Sequence, residues 1–325
     1  MGGLSEKALQ INKISSNTKS QALVLDAGNL LFKNRRNIES DSAEFITAQA
    51  IADAYLILGF DAVGIGVQDL WSGIDLLLWS EKRGVPWTSV NLYDSKGDRI
   101  FKPYQQKLVD KSTVAIVAIT DPAAAKTDEY TIKDPASELA ALLPQLEKSF
   151  DLIIALSTLP MRKSVELAKQ FSEIDIIIGG DGSKGNVTPI QTGKSIVTQT
   201  STRGQYLGVL SVQWRNQPWG KNASAKLAEH KNRLKSITLQ LNRLKLSPTS
   251  RPKKAETVKT LEDKRKQLQG QIAELQHQIE TKTEVEDFSS YSCSFLPLKR
   301  SGGSNPQIES IVATVKKKMR DLTNK

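Results

Sequence analysis

Three aspartates stand where short apolar runs give way to glycine-rich loops: Asp26 in QALVLDAG, Asp69 in DAVGIGVQDLWSG and Asp181 in IDIIIGGDGS. Oxygen ligands from three such loops suit one hard cation, Mg2+ or Ca2+. The plainer reading is that each aspartate caps a helix or satisfies loop amides. Gly179, Gly180, Gly182 and Gly185 lie close to Lys184. Turns of this kind can cradle a phosphate through backbone N–H groups, but they are also common at strand ends. Arg203 can face an anion or form a salt bridge at a sheet edge. Trp71 can line a ligand pocket or fill volume that a ligand would otherwise take.

The softer donors are scarce. Cys293 is the only cysteine, so no disulfide framework, four-cysteine zinc site or CxxCH haem attachment is contained in these residues. It lies in the apolar stretch YSCSFLPL and reads as a buried, inert thiol. The two histidines are His230 and His277, and residues 1–229 contain none. His230 falls on a helical seam and His277 on an outer helical face. Imidazole chemistry therefore has nothing to draw on across the first two-thirds of the chain.

These loops need elements to hold them. Apolar strands are expected at 21–28, 61–66, 85–92, 100–120 (two strands around Asp110-Lys111), 151–158, 174–180, 194–200 and 205–215. Amphipathic helices are expected at 4–20, 42–60, 72–84, 135–150 (kinked at Pro144) and 162–173. Gly59 and Gly84 close two of them. The alternation implies an α/β domain over 1–220, with candidate loops at 26–33, 66–73, 157–161 and 180–188, where strands end.

Residues 221–283 change character. Leu227, Leu234 and Leu241 recur every seventh residue, with His230, Ile237 and Leu244 as the second seam. After SPTSRP a second run follows: Val258, Leu261, Arg265, Leu268, Ile272, Leu275 and Ile279. This predicts an antiparallel helical hairpin of coiled-coil type. Residues 284–325 read as a return segment and a final helix.

The formal net charge is +10, unevenly spread. Residues 1–220 hold 23 Lys+Arg against 24 Asp+Glu, and residues 221–283 hold 15 against 6. The basic excess thus belongs to the hairpin. A solvated Lys-rich face explains it more simply than nucleic-acid binding, the alternative kept open. No run is long and apolar enough to span a membrane, and MGGLSEKALQ lacks a signal-peptide layout.

The ordered segments LVLDAGNLLF, GFDAVGIGVQDLWSG, VPWTSVNLYDSKGDRIFKPY, FDLIIALSTL, IDIIIGGDGS and QTSTRGQYLGVLSVQW resemble the N-terminal metallophosphoesterase (calcineurin-like) domain of bacterial 5′-nucleotidases. The resemblance covers residues 2–215. It implies a four-layer α/β/β/α sandwich with a dinuclear metal site at the strand ends, and an exported, periplasmic protein. It also implies where ligands would stand. The bridging aspartate falls at Asn29. The Gly-Asn-His-Glu/Asp turn falls on Gly66-Val67-Gln68-Asp69, so the amide ligand becomes Val67 and the histidine becomes Gln68. The strand-end histidine falls at Thr158. The Gly-His-x-His motif falls on Gly180-Asp181-Gly182-Ser183. An Asp-x-His motif would precede Gly2. Arg203 matches a segment that closes the family's pocket.

Such a metal pair needs carboxylates, an amide and several imidazoles. The replacements remove them together. The expectation is a catalytically inactive, metal-free relative kept as a cell-envelope scaffold or interaction module. Its hairpin would meet a protein partner, and the resemblance suggests a multihaem cytochrome. The alternative is a hydrolase or ligand-binding protein with a rebuilt site of Asp26, Asn29, Gln68, Asp69 and Asp181, holding a single divalent cation.

Overall fold

The computed structural model describes residues 2–17, 21–33, 38–123, 128–202, 204–220, 223–246, 252–281, 288–298 and 305–323. Two compact units result. The first holds Met1–Val209 and Cys293–Lys325, and the second holds Leu210–Ser292. These borders fall inside two strands, Tyr206–Gln213 and Ser289–Pro297, whereas the sequence-based division lies at 220 and 283.

The first unit begins with α1 (Gly2–Asn17), β1 (Leu25–Asp26), α2 (Ala43–Leu58) and β2 (Ala62–Gly64). Ser42 caps α2 by accepting the Phe45 N–H, and Gly59 ends it at φ 65°. A 3-10 turn over Val67–Leu70, α3 (Asp75–Lys82), β3 (Trp87–Thr88) and β4 (Leu92–Asp94) follow. Strands β1, β2 and β3 form a parallel sheet. Of the expected strand at 21–28 only Leu25–Asp26 pairs, with Ala62 and Val63 of β2.

Then come β5 (Tyr104–Val109), β6 (Ser112–Ile119), β7 (Tyr130–Ile132), α4 (Pro135–Ser149), β8 (Leu152–Ser157), α5 (Met161–Gln170), β9 (Ile176–Gly179), β10 (Val187–Thr192) and β11 (Ser195–Gln199). The second sheet has the order β10-β11-β9-β8-β6-β5. Asp110 turns the β5–β6 hairpin at φ 54°. Helix α4 runs on through Pro144. Strand β10 departs from the sequence-based expectation, since VTPIQT contains Pro189. It is an edge strand whose register shifts between Val187 and Ile190, a place where a sheet tolerates proline.

Two cores follow from the alternation of strand side chains. Leu139, Leu143 and Leu146 of α4 and Leu167 of α5 pack with Ala115, Val117, Ile119, Ile153 and Ile177 of the second sheet. Residues of α1, α2 and α3 pack with Val63 and Trp87 of the first sheet. The last helix, α8 (Pro306–Thr323), joins that core through Ile308 and Val312, so the C-terminal segment belongs to the first unit. β2 packs on β6 and β8, which completes an α/β/β/α sandwich.

The second unit carries part of the sheet β12-β14-β13 (Tyr206–Gln213, Ser289–Pro297 and Trp219–Gly220). It also carries a helical hairpin, α6 (Ala223–Leu246) and α7 (Pro252–Thr281). Ile237, Leu241 and Leu268 are buried between the helices, with Leu234, Val258 and Leu261 against them. Each lies at a position marked by the seven-residue repeat.

Candidate functional site

The Asp69 carboxylate is the hub of the loop cluster at the strand ends. It lies in the 3-10 turn and is wholly buried. Its Oδ1 accepts the N–H groups of Leu30 at 2.6 Å and Leu31 at 2.8 Å. Its Oδ2 accepts those of Asn29 and Gly66, both at 2.8 Å. A carboxylate has about four acceptor sites, and four donors fill them. Burial pushes this carboxyl up, and the four N–H groups pull it back only in part, to about 6.

Asn29 seals three loops. It holds the left-handed conformation at φ 59°, which asparagine tolerates better than most residues. Its Nδ2 donates to the Gly180 carbonyl at 3.3 Å, and its Oδ1 accepts the Gln68 N–H at 3.2 Å. Glycine at 66 makes this possible. A Cβ there would stand 2.2 Å from Asn29 Oδ1.

Asp26 belongs to a different cluster. Its carboxylate accepts the Tyr55 hydroxyl at 2.7 Å and the Gly28 N–H at 3.1 Å, and pairs with Lys7 at 3.8 Å. The Lys7 ammonium lies 5.6 Å from the Tyr55 ring centre, and Tyr55 stacks on Phe60. Burial, reinforced by the Asp26 charge, holds the Tyr55 hydroxyl well above its ordinary pKa.

Asp181 is turned inward. It accepts the Met161 N–H at the start of α5 (2.9 Å), the Ser183 N–H (2.9 Å) and the Ser183 hydroxyl (2.7 Å). Burial works to raise its carboxyl, but the donors of Met161 and Ser183, aided by Lys184, outweigh that and hold it below the usual value. A carboxylate so depressed is a weak base, so the Ser183–Asp181 contact is a local turn bond and not an activated nucleophile. Thr158 is buried, donating to the Ile119 carbonyl at 3.1 Å and accepting the Asp121 N–H at 3.0 Å. Val67 and Gln68 are half-buried, and Ser183 is exposed. Trp71 packs partly buried on the first core. Arg203 lies outside the described residues.

Sequence reasoning missed Gln199. Its amide accepts the Asp181 N–H at 2.9 Å and donates to the carbonyls of Asp181 (2.9 Å) and Lys184 (3.3 Å). The glycine-rich loop therefore closes around a glutamine. Sequence reasoning also missed Ser89, Asn91 and Thr120, which are buried and bonded to one another. The available signal was polar residues inside otherwise apolar runs, SIVTQ and TSVN. Cys293 has its thiol pushed up by burial, with a Thr198 hydrogen bond acting the other way. His230 bonds the Lys226 carbonyl one turn back, and His277 is exposed, both in the second unit.

A dinuclear metal centre does not fit these residues. The Asn29 amide is committed on both sides, Val67 has no donor atom, and the oxygens of Thr158 and Asp181 serve backbone groups. Asp26, Asp69 and Asp181 do not converge either. Among the described residues, no group of three or more His, Cys, Asp and Glu side chains could hold an ion.

No family model matches the sequence, and no curated protein sequence matches it. Solved structures do. The chain is similar to the sulfate thiohydrolase SoxB of Thermus thermophilus (TM-score 0.58, 17% identity, 66% of this chain and 40% of that one). It is also similar to a 5′-nucleotidase precursor from Thermus thermophilus (0.56, 20%, 66% and 46%). A third match is the NAD nucleotidase NadN of Haemophilus influenzae (0.55, 20%, 64% and 46%). The chain spans less than half the length of each of these neighbours. At such identities the likeness is one of architecture, and the chain carries the metallophosphoesterase fold of the 5′-nucleotidases.

Proposed function

We propose that this chain is a catalytically silent metallophosphoesterase-fold protein. In this reading it is retained as an interaction module of the cell envelope, with the α6–α7 hairpin as its partner-binding part. The observation that carries the reading is Asn29. Where the resemblance puts a bridging carboxylate, an amide donates to Gly180 and accepts from Gln68. A carboxylate can ligate two cations, whereas this amide is spent on closing the loops. Val67, Thr158, Asp181 and Ser183 extend the same pattern. An exported location and a multihaem cytochrome partner rest on the family resemblance alone. No helix among the described residues is long and apolar enough to cross a membrane.

The test is elemental analysis of the purified protein, combined with nucleotidase and phosphodiesterase assays in Mn2+, Zn2+ and Mg2+. The expected result is no stoichiometric metal and no turnover above background. Bound metal with turnover would sink the reading and favour the rebuilt site of Asp26, Asn29, Gln68, Asp69 and Asp181.

A further inference from the structure

The hairpin's charge is concentrated on one helix. α6 carries six Lys and Arg residues against a single acid, Glu229, whereas α7 carries six against five. Lys226, Lys231, Arg233 and Lys235 are all exposed. Some cations of the first unit are paired, as in Arg83–Asp53, Arg99–Glu138 and Lys107–Asp61. Among the described residues, no ion pair engages Lys231, Arg233 or Lys235.

This arrangement works against the helix itself. Lys231 and Lys235 are like charges at i,i+4, a repulsive spacing. The first turn of α6 has no acid and contains Lys226, where the helix dipole disfavours a cation. An external anionic surface would relieve both penalties. One turn beyond Lys235, on the same stripe, Leu239 is 52% exposed. An apolar anchor beside cations matches the core-and-rim pattern of a protein interface. Phosphates give such a leucine nothing to pack on. A bilayer would require several exposed apolar side chains, and Leu239 is the only large one on α6 among the described residues.

We propose that the Lys231–Lys235–Leu239 stripe of α6 is the docking surface for an acidic protein partner that presents carboxylates around an apolar patch. The proposal deepens the reading of the hairpin as the partner-binding part. It is tested by binding, so its failure is distinguishable from a failure of the activity assay.

The experiment uses the full chain and three probes: a synthetic amphipathic helical peptide with glutamates flanking leucines, a duplex DNA, and vesicles of phosphatidylglycerol in phosphatidylethanolamine. The expected result is tightest binding to the peptide, weakening as salt rises. K231E/K235E should weaken it by about tenfold or more and L239S by several-fold, both with unchanged helicity. Both changes are at exposed positions, and circular dichroism checks the fold. Tighter binding to DNA or vesicles, or peptide binding indifferent to K231E/K235E, would overturn the proposal.

Discussion

The side-chain amide of Asn29 donates to the carbonyl of Gly180, 151 residues away, at 3.3 Å. Its oxygen simultaneously accepts the Gln68 N–H. A position that resemblance assigns to a metal bridge thus ties three loops together through its own amide. Asn29→Asp should leave the positive φ tolerable while turning a carboxylate oxygen toward the Gly180 carbonyl. The expected cost is about 1–3 kcal/mol of unfolding free energy, read by urea denaturation. Adding Mn2+ should not recover it.

Gly66 and Asn29 are coupled by space. A methyl at 66 would lie 2.2 Å from Asn29 Oδ1 while the backbone at 66, φ −103°, suits any residue. Gly66→Ala should therefore destabilise by about 1–3 kcal/mol, the range for overpacking. In an Asn29→Ala background only the side-chain part of that penalty should vanish, because the same Cβ would still stand 2.7 Å from the backbone nitrogen at 29. A double-mutant cycle with no coupling energy would contradict this packing account.

Two carboxyls set a pH dependence. Burial raises Asp175 to about 7, against the Ile153 N–H and Lys194 that lower it, and raises Asp69 to about 6. Each binds its proton more tightly folded than unfolded. Their contribution to stability is thus fully present below about pH 4 and is lost as pH rises through 6 and 7. Asp175→Asn keeps an acceptor for Ile153 and removes the buried charge. It should raise stability at pH 8 by about 1–3 kcal/mol and flatten the slope between pH 6 and 7. Denaturation midpoints at several pH values check this.

The helix pair should fail locally. Leu241 is 1% exposed within the α6–α7 cluster. Leu241→Ala should cost that pair about 2–4 kcal/mol. Hydrogen exchange should accelerate across α6 and α7 and stay unchanged in β6 and β8, which belong to the other unit.

Much of the sandwich was legible because its signals are local. VAIVAI and LIIALS are short apolar runs bounded by turn signals, which read as buried strands, and the glycines at 59 and 84 mark helix ends. The leucine heptads named the buried hairpin residues one by one. What stayed illegible was short or non-local. The strands of the first sheet were expected at 21–28, 61–66 and 85–92, but their extents were not legible, since each pairs over only two or three residues. Strand β10 hid behind Pro189, whose tolerance depends on lying at a sheet edge with a register shift.

The candidate site divides the same way. Reading the loops residue by residue is enough to say which side-chain types stand there. It leaves open whether Asp26, Asp69 and Asp181 meet. In the folded chain they do not. Asp69 is filled by four backbone N–H groups, Asp26 is held by Tyr55 and Lys7, and Asp181 is held by Met161 and Ser183. A carboxylate's role depends on which donors reach it. Gly66 and Ser183 are local, but Asn29, Leu30 and Leu31 for Asp69, Tyr55 and Lys7 for Asp26, and Met161 for Asp181 come from other segments, and only the fold brings them to the carboxylates.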